Sequence, residues 1–208
     1  MPDKTAFLAF LAASLLLNIA PGPDMLYVIG RSVGQGRKAG IVSAIGIFFG
    51  CLVHIALAAA GIAAILRSSP LAFNFIRYAG AIYLLYLGGK LLLQRSSTLA
   101  LRPATPSRLR EIFSQGVVTN VLNPKVALFF LAFLPQFVDP RNGGVVLPII
   151  LLGMMFNAGG LLVNLMVASA GGYIGEILRR NQRIAKVQRW FTGLVFVGLG
   201  LRLGLSRR

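Results

Sequence analysis

The chain contains almost no acid. Of its 208 residues, five are Asp or Glu, against 21 Lys and Arg, and charged residues make up 12% of the total. A soluble domain carries about 25%. There is one cysteine, Cys51, and one histidine, His54. One thiol forms no internal disulfide, and one Cys with one His makes no zinc cluster. No phosphate-binding loop, nucleophile elbow or metal-ligand spacing occurs. An enzyme would need a nucleophile–base set or metal ligands, and neither is present. The expectation is a protein without cofactor, without metal and without catalysis. Cys51 lies in an apolar run and reads as a small buried side chain. His54 reads as packed or cavity-lining, with a proton-relay role as the functional alternative.

A net charge of +16 raises the question of nucleic acid. The placement of the charge answers against it. Basic residues stand in short clusters between long apolar runs, and 56% of the chain is apolar. In an inner-membrane protein, such clusters set orientation. The expected partner is therefore lipid and not nucleic acid.

A helix needs roughly 20 mostly apolar residues to cross about 30 Å of hydrocarbon. Six runs meet this need: 5–33, 39–66, 71–93, 113–138, 145–173 and 187–205. Backbone groups in lipid must be satisfied internally, so helices are the expected form. The first run follows Asp3 and Lys4, and Pro21 follows the small residue Ala20. It reads as a retained helix and not as a cleaved leader. Arg31, Arg37, Lys38, Lys90, Arg95, Arg102, Arg108, Arg110, Arg179, Arg180, Arg183, Lys186 and Arg189 fall on one side of this arrangement. Lys4, Arg67, Arg77, Arg141, Arg202, Arg207 and Arg208 fall on the other. The richer side is expected to be cytoplasmic. Arg207 and Arg208 would then lie outside. A five-span form, with the last helix on the inner surface, is the alternative.

Residues 94–111 hold the one polar, Pro- and Ser-containing stretch of any length, and they read as a cytoplasmic linker. They divide the chain into a three-span half at 1–93 and another at 112–208. Three-span halves insert in opposite directions. The expected fold is an all-α integral membrane protein of six transmembrane helices, arranged as two inverted three-helix repeats.

The first and fourth helices are expected to be broken. Asn18-Ile19-Ala20-Pro21-Gly22-Pro23-Asp24 interrupts one, and Asn120-Val121-Leu122-Asn123-Pro124-Lys125 interrupts the other. At about 1.5 Å per residue, both breaks lie on the order of 12–14 Å from the cytoplasmic edge. Proline removes a donor and leaves carbonyls without partners, which lipid tolerates only beside protein or a wet cavity. Half-helix N-termini suit a carboxylate, and C-termini suit an ammonium group. A zwitterionic amino acid has both poles. Asp24 and Lys125 add one charge of each sign, which face the interior and not lipid. The expected role of Asp24 is ammonium binding and proton coupling. Lys125 would hold the substrate carboxylate or balance Asp24. The structural alternative is an ion pair that fixes one half against the other. Asn18, Asn120 and Asn123 either cap the broken ends or line the cavity. Asn157 and Asn164, seven apart on one helix face, line the path or bond across helices. The GxxxG at Gly46 and Gly50 serves close packing within the chain or a homodimer.

The run NIAPGPDMLYVIGRSVGQGRKAGIVSAIGIFFGCLVH resembles the lysine exporter superfamily, most of all its LysE/RhtB threonine/homoserine efflux branch. The later TNVLNPKVALFFLAFLPQFV is similar to that family's second broken helix. The resemblance covers essentially the whole chain and departs at the Arg-rich C-terminus. It implies a multi-pass protein of the bacterial inner membrane that exports amino acids or their derivatives, driven by the proton motive force. Its motif carries over to Pro21, Gly22, Pro23, Asp24, Asn123, Pro124 and Lys125. A transporter of another small metabolite or a cation is the rival reading. A multivalent cation would want more carboxylates than Asp24 alone.

Overall fold

The computed structural model describes residues 4–68, 70–93, 106–138, 144–180 and 182–205, and all regular structure among them is helical. The helices are α1 (Lys4–Ile19), α2 (Pro23–Gln35), α3 (Arg37–Ser68), α4 (Pro70–Leu93), α5 (Leu109–Val121), α6 (Pro124–Leu128), α7 (Val146–Arg180) and α8 (Gln182–Leu205). A π turn at Phe129–Phe133 and a 3-10 turn at Leu134–Phe137 continue α6. Most of the expected linker, 94–105, lies outside the described residues. So does Arg208, whose position bears on the C-terminal topology.

Arg37–Gly61 and Val146–Ala170 are each long and apolar enough to cross a membrane. The expected breaks are present. The α1 and α2 axes bend by 43°, and α5 bends by 45° against the segment Pro124–Phe137. Each bent pair passes as one span by length and composition. Tyr78–Leu93 and Trp190–Leu205 are shorter apolar stretches.

Proline and glycine explain the local geometry. Pro23 and Pro124 each open a helix at its first turn, where a missing N–H costs nothing. Gly36 ends α2 with φ of 83°, a left-handed conformation that a side chain disfavours. The immediate restart at Arg37 depends on that turn.

α3 and α7 run side by side at the centre. α3 also packs along α5, and α7 packs along α2 and α1. α4 pairs with α8. Lipid tails supply no hydrophobic drive between helices, so small residues that allow close approach decide these contacts. A Cβ on Gly50 would lie 2.6 Å from the Val117 carbonyl oxygen, and one on Gly88 would lie 2.7 Å from that of Gly193. Gly46 likewise abuts Phe113 and Gly116. The GxxxG therefore serves packing of α3 on α5 within the chain. A cluster of Phe10, Phe129, Phe130, Phe133, Phe137 and Phe156 fills the core under the second break. Phe129 and Phe156 stack with centroids 4.1 Å apart, and Phe10 meets Phe137 edge-on at 5.4 Å. Leu57, Phe75, Ile82, Leu162, Met166 and Leu194 are exposed on the outside, a surface suited to acyl chains.

Candidate functional site

Each break leaves one carbonyl orphaned by arithmetic. A helical carbonyl at position i accepts from the N–H at i+4. Pro21 has no N–H for Leu17, and Pro124 has none for Asn120. Both oxygens are met by side chains from the opposite half of the chain. Lys125 Nζ donates to Leu17 O at 3.1 Å and to Ala20 O at 2.9 Å. His54 Nε2 donates to Asn120 O at 3.0 Å, and the Asn123 backbone N–H shares that acceptor at 2.9 Å. Because a carbonyl only accepts, the geometry places a proton on Nε2 of His54. The imidazole stacks on Phe130 at 5.9 Å.

The two charges are both buried. Asp24 Oδ2 accepts from Asn120 Nδ2 at 2.8 Å, while Oδ1 is buried without a partner. Asp24 thus reaches the end of α5 as Lys125 reaches the end of α1. An ammonium meets carbonyls directly, whereas a carboxylate needs a donor, and Asn120 provides it. The Lys125 ammonium is held by carbonyls and not by a hydrogen bond to the Asp24 carboxylate.

The asparagines divide their work. Asn123 caps α6, its Oδ1 accepting from the Lys125 backbone N–H at 3.0 Å, and its Nδ2 is buried without a partner. Asn18 Nδ2 donates to Phe156 O at 3.0 Å, which ties α1 to α7. Asn157 Nδ2 donates to Phe48 O at 3.2 Å, which ties α7 to α3. Asn164 is buried at the same cavity. Pro21 and Gly22 are half-buried, and Pro23 and Pro124 lie exposed on the outer side of their turns. Gly22 faces Lys125, where a Cβ would come within 3.1 Å of Nζ.

These residues enclose a cavity of about 30 Å³. Asn18, Asp24, Asn120, Lys125, Asn157 and Asn164 form its polar lining. Met25, Ile47, Phe48, Cys51, Val126, Phe156 and Leu161 form its apolar lining. A water needs roughly 10–15 Å³ by this measure, so the space holds about two. It is too small for an amino acid.

A second polar cluster escaped the sequence reading. Arg31, near the end of the first apolar run, is only 5% exposed. It donates to Gln35 Oε1 at 2.7 Å and to Gln115 Oε1. Tyr27 OH donates to Ile112 O at 2.8 Å, and Gln35 Nε2 donates to Ser107 O at 2.8 Å. Together they fasten α2 to α5 and to the residues just before α5. Tyr27, Arg31 and Gln35 are four apart, a polar stripe on one helix face that spacing alone reveals.

Residues 15–207 match the family model of the LysE type translocator. The chain belongs to that family. It is a multi-pass membrane transporter of an amino-acid efflux family, and not an enzyme. Among its relatives is the leucine efflux protein of Enterobacter sp. (strain 638), 32% identical over 200 residues, which cover 95% of this chain and 94% of that protein. The leucine efflux protein of Salmonella typhimurium (strain LT2) is 32% identical over 196 residues, 93% of this chain and 92% of that protein. That of Klebsiella pneumoniae is 30% identical over 203 residues, 95% and 93% of the two chains. No solved structure matches the translocator.

Proposed function

We propose that this translocator exports amino acids with apolar side chains, leucine among them, across a bacterial inner membrane in exchange for protons. The observation that carries the reading is the buried, half-satisfied carboxylate of Asp24 in a cavity walled by apolar side chains. An unpartnered carboxylate oxygen in such a place is costly unless a ligand completes it. The substrate ammonium completes it at Oδ1. The substrate carboxylate meets Asn164 and the first turn of α2, which has no side-chain cap. The hydrocarbon side chain lies against Phe48, Val126 and Phe156. Leucine fits this lining, and it is the molecule in the names of the relatives.

The spans are six, in two inverted three-helix repeats at 1–93 and 112–208. Two features support this arrangement. The two breaks bend by nearly equal angles, 43° and 45°. Some helix contacts also correspond when the halves are exchanged. α3 lies on the fourth broken span as α7 lies on the first, while α3–α7 and α4–α8 map onto themselves. Gly50 seats Asn120 as Gly160 seats Asn18. The basic side is cytoplasmic, and the Tyr27–Arg31–Gln35 cluster closes the cavity toward it. Transport then consists of opening this closure and its counterpart in turn.

The test is export from cells that overproduce the chain and are loaded with leucine-containing dipeptides. Leucine is expected to appear outside faster than in control cells and at the control rate with Asp24→Asn. Unchanged leucine efflux with the native chain would reject the substrate assignment. A C-terminal reporter at Arg208 is expected outside. A cytoplasmic signal would replace six spans by five.

A further inference from the structure

Among the described residues, Lys125 Nζ donates only to backbone carbonyls at the C-terminal end of α1, those of Leu17 and Ala20. A helix C-terminus carries partial negative charge and binds an ammonium of any origin. The free oxygen of Asp24 lines the same cavity of about 30 Å³. The ammonium of an amino acid entering that cavity finds its carbonyl acceptors already taken by another ammonium. Two such cations within a few ångströms, away from bulk water, repel strongly.

We infer that the Lys125 ammonium stands in for the ammonium of the transported molecule in the empty carrier, and that its proton is the one exchanged. The inference rests on the exporter reading above and moves the proton from Asp24, where the sequence alone suggested it, to Lys125. Antiport requires that substrate and proton exclude each other, which is negative coupling between two ligands. Shared acceptors supply that exclusion without a distant signal. When the substrate enters from the cytoplasm, one N–H bond of Lys125 breaks and the proton leaves to cytoplasmic water. The substrate ammonium takes over the Leu17 and Ala20 carbonyls beside Asp24. After release outside, the neutral amine takes a proton from the outer water and returns to the carbonyls. One zwitterion leaves for each proton that enters.

Asp24 of α2 faces this exchange as the carboxylate of the cavity. α3 contributes Cys51 at the cavity and His54 behind Asn120. The other helices around the cavity contribute the neutral amides Asn18, Asn120, Asn157 and Asn164. Gly22 leaves the room that the ammonium uses, because a Cβ there would stand 3.1 Å from Nζ and 3.3 Å from Cε.

The test is leucine binding to the full chain in lipid nanodiscs across a pH series. Native protein is expected to bind more weakly as pH falls, since protons favour the occupied carbonyls. Lys125→Met is expected to bind about tenfold more tightly, which is about 1.4 kcal/mol, and to lose that pH dependence. In liposomes it is expected to lose leucine movement driven by a pH gradient. Weaker binding in folded Lys125→Met would overturn the inference and make Lys125 the holder of the substrate carboxylate. An unchanged pH dependence would overturn it by placing the proton on another group. Should Lys125→Met fail to fold, Gly22→Ala decides. Its methyl group crowds Nζ, so the pH curve of binding moves to lower pH, and an unmoved curve overturns the inference. Native protein that binds no amino acid at any pH would instead remove the exporter reading itself.

Discussion

The two breaks differ in what answers their orphaned carbonyl. At the first, the answer is a full positive charge, Lys125, with no side-chain cap on the helix that follows. At the second, it is an imidazole, His54, and the next helix is capped by Asn123. The second break is therefore finished as structure, while the first is finished only for as long as an ammonium sits there. A repeated motif gives one fixed end and one exchangeable end. The difference arises from what the opposite half presents, since each break is completed across the interface between halves.

The comparison is broken most severely at Asp24. Asp24→Asn keeps the shape and removes the charge, and leucine transport is expected to fall on the order of a hundredfold. A hundredfold loss corresponds to about 2.7 kcal/mol. Efflux of labelled leucine from proteoliposomes measures it. Asn120→Ala comes next, because it strips the donor from Asp24 Oδ2. A hydrogen bond to a charged group contributes about 1.5–3 kcal/mol, and a neutral one about 1. Thermal unfolding in detergent is therefore expected to show a larger loss for Asn120→Ala than for its counterpart Asn18→Ala. Equal losses would mean that the two positions are interchangeable.

Much of this was legible beforehand. Pro21 and Pro124 mark the breaks, and Asp24 and Lys125 mark a polar interior. The partners were not legible. The acceptors of Lys125 are main-chain oxygens, and no side-chain pattern names them. That Asn120 donates to Asp24, and that Asn123 caps α6 with its oxygen while its amide stays beside the Asp24 carboxyl, is not written in their spacing. The burial of Arg31 is not legible either, because a basic residue near a span end carries no local sign of its partner. Its burial comes from Gln115 of the other half, 84 positions away.

A double-mutant cycle sharpens the contrast at smaller energies. His54→Ala leaves the Asn120 carbonyl with the Asn123 N–H alone. Pro124→Ala restores an N–H at the helical position that serves it. The two losses are expected to be non-additive by about 1 kcal/mol in unfolding experiments. Full additivity would show that His54 is held for another reason. The smallest effect is expected at the closure. Tyr27→Phe removes one neutral hydrogen bond, about 1 kcal/mol. Cys51, the single thiol, lines the cavity and reports on its opening. Maleimide labelling of Cys51 is expected to quicken severalfold in Tyr27→Phe and to slow again with leucine present. An unchanged rate would place the closure elsewhere.

A cavity with room for about two waters has a consequence for the cell that houses it. The membrane around this protein holds a voltage and a proton gradient. A pore with a continuous file of water would discharge both whenever the exporter stood idle. Here the cavity is small, and the Lys125 ammonium that lines it is tethered to backbone carbonyls. On the proposed antiport mechanism, resting copies then stand ready for a surge of amino acid without draining the gradient that drives them.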